Sequence, residues 1–251
     1  MITVDTSFPE SERRDFQVIA EDVSTLVSEA FHSRPPFDLP IICQKRSDGP
    51  FTALNDWANP DSIIIGLSVD GPFWAQFVYQ LSHELGHVML DPRRTNGVVE
   101  TICVALSYEV LDRLARKWQE KAPLPHMNGW GHNFSDYRKN ESDIRIGRLG
   151  EISSAVSKGD WEAVREYLIS HRDEQEQTLL AEINGEHGRD IQALGAHALC
   201  ATGQVPWPRF VGLATACCDV ALSKHPVGWL VARYVPGDAE SDRGMLFEIG
   251  R

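Results

Sequence analysis

The run YQLSHELGHVML (79–90) sets His83 and His87 four residues apart, with Glu84 between them. On an α-helix, residues four apart stack on one face, so the two imidazoles can address a single ion. Glu84 is turned about 100° from His83, beside such an ion but outside its ligand shell. From there its carboxylate can hold a water molecule and take its proton. This is the chemistry of an H-E-x-x-H helix, in which zinc lowers the pKa of water towards about 7. The competing reading of the same residues is a hydrogen-bonded structural pair of histidines with a glutamate.

A tetrahedral catalytic site takes three protein ligands and leaves the fourth position open. Glu100 is the candidate third ligand. It follows His87 by thirteen residues, and the intervening DPRRTNG (91–97) lets the chain turn back. Its surroundings, VVETICVAL, are apolar, so a carboxylate there needs a partner. The alternative is a first-turn glutamate that completes a capping box with the preceding Thr-Asn-Gly. Gly86, inside the motif, leaves room for another segment to approach closely.

These residues depend on the elements around them. ESERRDFQVIAEDVSTLVSEAFHS (10–33) repeats apolar residues at helical spacing, and RPPFDLP ends it. IICQ (41–44) and SIIIGLSV (62–69) read as strands, the second rich in β-branched residues. Asp70 or Gly71 is then expected to cap a helix with Pro72 in its first turn. Phe73, Phe77, Val78, Leu81, Leu85 and Val88 form its apolar face, and a second helix is expected over 98–121. PLPHMNGWGHNFSDYRKNES (123–142) is rich in Gly, Pro, Asn and Ser and reads as a long irregular connection, a length often tied to function. Helical patterns follow at about 143–184 and 188–223, and the tail offers a terminal strand pair. A boundary near 142 would divide residues 1–142 from a mainly helical 143–251, with one continuous domain as the alternative.

Strand, turn, HELGH helix, break and a glutamate in a second helix resemble the gluzincin branch of zinc metallopeptidases, in particular the compact ImmA/IrrE-type peptidases. In that group HELGH is followed, after a short loop, by E-A-N-x-F-A. The corresponding run here is ETICVA (100–105): Glu100 matches, whereas Thr101, Ile102 and Val104 replace the alanine, asparagine and phenylalanine. The resemblance covers about residues 36–120. It implies an α+β fold, a small zincin-like catalytic domain with a mixed sheet followed by a mainly helical C-terminal region. It further implies one Zn2+ per chain held by His83, His87 and Glu100, with Glu84 as the catalytic base. SIIIGLS would be the edge strand over the cleft, where an extended protein or peptide substrate pairs by strand addition.

The rest of the composition bounds this reading. Of 251 residues, 42% are hydrophobic and 24% charged, ordinary for a globular protein. No apolar run is long enough for a membrane helix. The N-terminal stretch lacks the basic start and apolar core of a secretory signal, which predicts a cytoplasmic chain. A formal net charge of −12 disfavours nucleic acid and anionic lipid as partners. The five cysteines contain no CxxC pair and read as reduced, mostly buried thiols. An oxyanion donor is expected from outside the motif helix, from among Tyr108, His126, His132 and Tyr137. Trp130, between two glycines, is a substrate-side contact or half-buried packing, and His197 in LGAHALC is expected to be a satisfied core histidine. The expected function is a zinc-dependent metallopeptidase. A catalytically silent zincin-fold regulator and a zinc hydrolase of a small molecule are the alternatives.

Overall fold

The computed structural model describes residues 1–35, 37–56, 59–92, 95, 97–170, 186–201, 203 and 205–210. The chain opens with a short strand β1 (Ile2–Val4), then the long helix α1 (Glu10–Phe31) and strands β2 (Ile41–Lys45), β3 (Phe51–Asp56) and β4 (Asn59–Leu67). Helices α2 (Trp74–Leu90) and α3 (Gly97–Glu120) follow, then a 3-10 turn at Pro125–Met127 and helices α4 (Gly131–Gly147), α5 (Ile152–Lys158), α6 (Trp161–Ser170) and α7 (Glu186–Ala201). The architecture is α+β and mostly helical. Among the described residues, no helix is long and apolar enough to cross a membrane.

The four strands form one mixed sheet in the order β1-β2-β4-β3. β1, β2 and β4 are parallel, and β3 joins β4 antiparallel, so β1-α1-β2 is a crossover unit. The face of α1 that buries Phe16, Ile19, Val23 and Val27 is the one its periodicity specifies. Phe16 stacks on Phe77 of α2 at 4.4 Å between ring centroids, and Phe8 meets both edge-on, which locks α1 against the motif helix. Gln80 fixes the other side of α2. Its amide oxygen accepts from Ser68 N at 2.9 Å and its amide nitrogen faces Ser68 O at 3.3 Å, just past the end of β4.

Several expectations need correction. SIIIGLS is an interior strand, since β4 pairs with β2 on one side and β3 on the other; the edge strands are β1 and, on the side of β4, β3. β4 also begins earlier than expected, at Asn59. The motif helix starts at Trp74, with Phe73 at the cap position and no side-chain cap, because Gly71 and Pro72 form the turn before it. The stretch 123–142 is not an irregular connection. Most of it is the 3-10 turn and α4, a largely polar helix held by its packing on α3. Gly131 makes that packing possible: a Cβ there would lie 2.7 Å from the Ala115 carbonyl oxygen. The described part of the pattern read at 143–184 is divided into the end of α4, α5 and α6, and that of 188–223 contains most of α7; 171–184 and 211–223 lie outside the described residues. The tail strand pair, Cys217, Cys218, His171 and His225 lie outside the described residues.

Position 142 falls inside α4. One continuous apolar cluster runs from Ile2 to Phe210, with α7 packed on α3 and α4. Trp207, beyond α7, rests on Phe31 at 5.7 Å and donates its indole N–H to Glu109 at 2.7 Å.

Candidate metal centre

α2 supplies two imidazoles on one face, and α3 runs back beside it to supply the third group. What allows α3 so close is Gly86: a Cβ there would meet Cys103 Sγ at 2.8 Å and Cys103 Cα at 3.3 Å. Ser107, one turn further along α3, donates to the Tyr79 carbonyl of α2 at 2.9 Å and sets the register of the pair.

Three of the expected residues converge. His83 Nε2 lies 3.1 Å from Glu100 Oε2, His87 Nε2 lies 3.5 Å from Glu100 Oε1, and the two Nε2 atoms are 3.3 Å apart. All three side chains are largely buried, with 12–16% of each exposed. Two imidazole nitrogens and a carboxylate at these separations form a triangle. A tetrahedral zinc ion with ligand bonds of about 2.0–2.2 Å requires donor atoms about 3.3–3.5 Å apart. The donor set and its spacing therefore fit a zinc ion with one position left for a water or substrate oxygen. Thr95 also donates its hydroxyl to Glu100, so the segment before α3 steadies the carboxylate.

Electrostatics favour positive charge at the triangle. Burial opposes ionisation of Glu100, but the two imidazoles outweigh it and hold the carboxyl well below its ordinary range. Burial likewise opposes a charge on His87. Its contacts with Cys103 and Glu100 prevail and hold it well above an ordinary histidine.

Cys103 is a fourth potential donor. Its Sγ and the ring nitrogens of His83 and His87 all lie within 4.8 Å of one another. It is fully buried, and burial pushes its thiol up. Glu100 is the stronger candidate as third ligand, because its oxygens are in contact with both Nε2 atoms while Cys103 sits beneath His87.

Glu84 is buried, with 4% of its surface exposed. The hydroxyl of Thr52, on β3, lies 2.7 Å from Glu84 Oε2 and 3.2 Å from the Glu84 carbonyl oxygen. A hydroxyl has one proton to give, and the shorter, charge-assisted bond claims it. One carboxylate oxygen is thus held by the edge strand and the other is left for chemistry.

These groups line an open cleft of about 800 Å3. β3 contributes Phe51 and Thr52, α2 contributes Tyr79, Gln80, His83, Glu84 and His87, and α4 contributes Tyr137, Glu141 and Arg145. Of the four expected oxyanion donors, Tyr137 lines this cleft. Tyr108 is buried behind it, His126 pairs with Asp15 at 3.0 Å, and His132 bonds Gly129 O at 2.7 Å. Tyr79 and Thr52 were not among the expected residues. Tyr79 stands one turn before His83 on the same stripe of α2, a spacing visible in the sequence; nothing in the sequence points to Thr52. Burial keeps both cleft phenols protonated, Tyr137 being pushed up to about 12 and Tyr79 well above its ordinary value. His197 is a satisfied core histidine: Ser142 Oγ lies 2.9 Å from its Nδ1, and burial lowers it to about 4.

Comparison of the chain with protein-family models, with curated proteins and with solved structures finds no match to any of them.

Proposed function

We propose that the chain is a zinc-dependent metallopeptidase of zincin type, with His83, His87 and Glu100 as ligands and Glu84 as general base. The observation that carries this reading is the 3.1–3.5 Å triangle of two Nε2 atoms and a carboxylate, with a second buried carboxylate beside it. Zinc held there would lower the pKa of water and polarise a carbonyl group. Glu84 takes the proton of the attacking water as oxygen bonds to the carbonyl carbon. It then delivers that proton to the amide nitrogen as the C–N bond breaks, leaving a carboxylic acid and an amine. The protonated phenols of Tyr79 and Tyr137 are hydrogen-bond donors on the cleft wall that can serve the developing oxyanion.

A peptide is favoured as substrate because the cleft is bordered by β3, which pairs only with β4 among the described residues. An extended chain can add to its open side and lie across the metal ligands. The test compares wild type with Glu84→Gln on a peptide library. Cleavage by the wild type, with zinc retained and cleavage lost in the variant, supports the proposal; equal cleavage by both proteins refutes it.

A second reading takes Cys103 as third ligand in place of Glu100, favoured by its place within 4.8 Å of both imidazoles. It predicts that Cys103→Ser releases the metal.

A further inference from the structure

Beyond the N-terminal end of α2 lies a second cavity, of about 290 Å3, that the catalytic reading leaves unused. Pro72, Phe73, Trp74 and Gln76 form one wall and Trp130, Phe134 and Tyr137 of the α4 side the other. Phe73 is 63% exposed and Trp130 45% exposed, two of the four large hydrophobic side chains left open among the described residues. Trp74 and Trp130 meet at 5.0 Å between ring centroids, so the groove has a preformed aromatic floor. Asp136 is the one charged residue in the lining, beside the amides of Asn133 and Asn140.

This groove adjoins the metal-side cleft, because Tyr137 lines both. α2 spans the distance: Trp74 stands nine residues before His83. At about 1.5 Å per residue that is roughly 13 Å of helix, the reach of about four residues of extended peptide. The chemistry of the lining selects what binds. Aromatic faces with a carboxylate at the rim attract a cation with an apolar stem, and a guanidinium also lies flat on indole rings. The main cleft carries the same bias, its lining containing Asp48, Glu84, Glu100 and Glu141 against Arg145 and Arg189. The chain as a whole has a net charge of −12.

We propose that the groove between the start of α2 and α4 is a specificity subsite for a basic side chain, arginine above all, placed about four residues from the bond cut at the metal centre. The idea rests on the metallopeptidase reading for its substrate, but the groove binds without metal or catalysis and is tested apart from them.

The experiment titrates the full chain, stripped of metal with EDTA, with two acetylated alanine hexapeptide amides carrying a single arginine or a single glutamate. Tryptophan fluorescence and calorimetry read the binding. The arginine peptide is expected to bind at least about tenfold more tightly than the glutamate peptide. Trp130→Ala should weaken the arginine peptide roughly tenfold, and Phe73→Ala and Asp136→Asn should weaken it by smaller factors. Phe73 is the most exposed of the five aromatic residues that line the groove, so its variant keeps the fold if Trp130→Ala does not. Equal binding of the two peptides, or arginine-peptide binding unchanged in Phe73→Ala and Asp136→Asn, overturns the subsite. Absence of zinc or of cleavage in other assays bears on the metallopeptidase reading and leaves this result standing.

Discussion

Thr52 reaches from the sheet edge to the buried carboxylate of Glu84, and in the proposed mechanism this contact holds the base in position. Loss of the hydroxyl in Thr52→Val should lower peptide hydrolysis by roughly tenfold to a hundredfold, the value of a hydrogen bond to a charged group, while Thr52→Ser keeps most of the rate. Rates of the two variants, each with full zinc content, check this. Glu84→Gln should cost at least about a hundredfold in kcat with metal retained. The ligand triangle also makes a pH prediction. His87 is held above its ordinary 6.5, so its contribution to the stability of the metal-free protein is complete below that pH and is lost as pH rises through the higher folded value. Glu100 is held below its ordinary 4.5, so its contribution is present above that pH and is lost as pH falls through the lower folded value. Metal-free protein should therefore melt at its highest temperature between about 4.5 and 6.5 as far as this pair decides, and lose stability above neutrality. Zinc bound at the proposed site would displace the His87 proton, so calorimetry at pH 7 in buffers of different ionisation heat should show proton release on metal uptake. Stability that is flat with pH and no proton release would contradict the coupling.

At the scale of elements, the site is a packing product of α2 against α3. Gly86→Ala drives a methyl group into Cys103, where both the thiol and the Cα stand in the way. It should cost about 1–3 kcal/mol of stability, seen as a lowered melting temperature, and reduce zinc affinity by moving Glu100 away from the imidazoles. Unchanged melting would mean that the helices part more easily than their contacts imply. The same elements show what the sequence could reveal. α1, α2 and α3 announce themselves through apolar residues at helical spacing, and the His83, His87 and Glu100 pattern is legible because helix geometry fixes the first two and a short break returns the third. α4 is hidden, since its buried residues are few, Gly131, Phe134, Ser142 and Ile146, and its stability comes from α3 rather than from its own pattern. β3 is hidden for a similar reason: FTALND acquires strand character by pairing with β4, and with that pairing Thr52 reaches Glu84. Contacts made by tertiary pairing leave no local signal.

At the scale of the whole molecule, the helices after the metal centre complete its core. α4 crosses position 142 and buries Ile146, α7 places Leu194 and Leu199 in the same cluster, and Trp207 closes over Phe31. A fragment ending at residue 142 should therefore expose the apolar face of α3 and show no cooperative thermal transition by circular dichroism; a sharp transition would make the first 142 residues a domain of their own. The centre should likewise hold one ion for each full chain. Elemental analysis of zinc on full-length protein after zinc loading and desalting, with Glu100→Ala and Cys103→Ser beside the wild type, tests this most directly. About one zinc per chain is expected in the wild type and in Cys103→Ser, from the three-ligand tetrahedral site, with its loss in Glu100→Ala. Wild-type protein without zinc, or metal lost from Cys103→Ser but kept by Glu100→Ala, would contradict it.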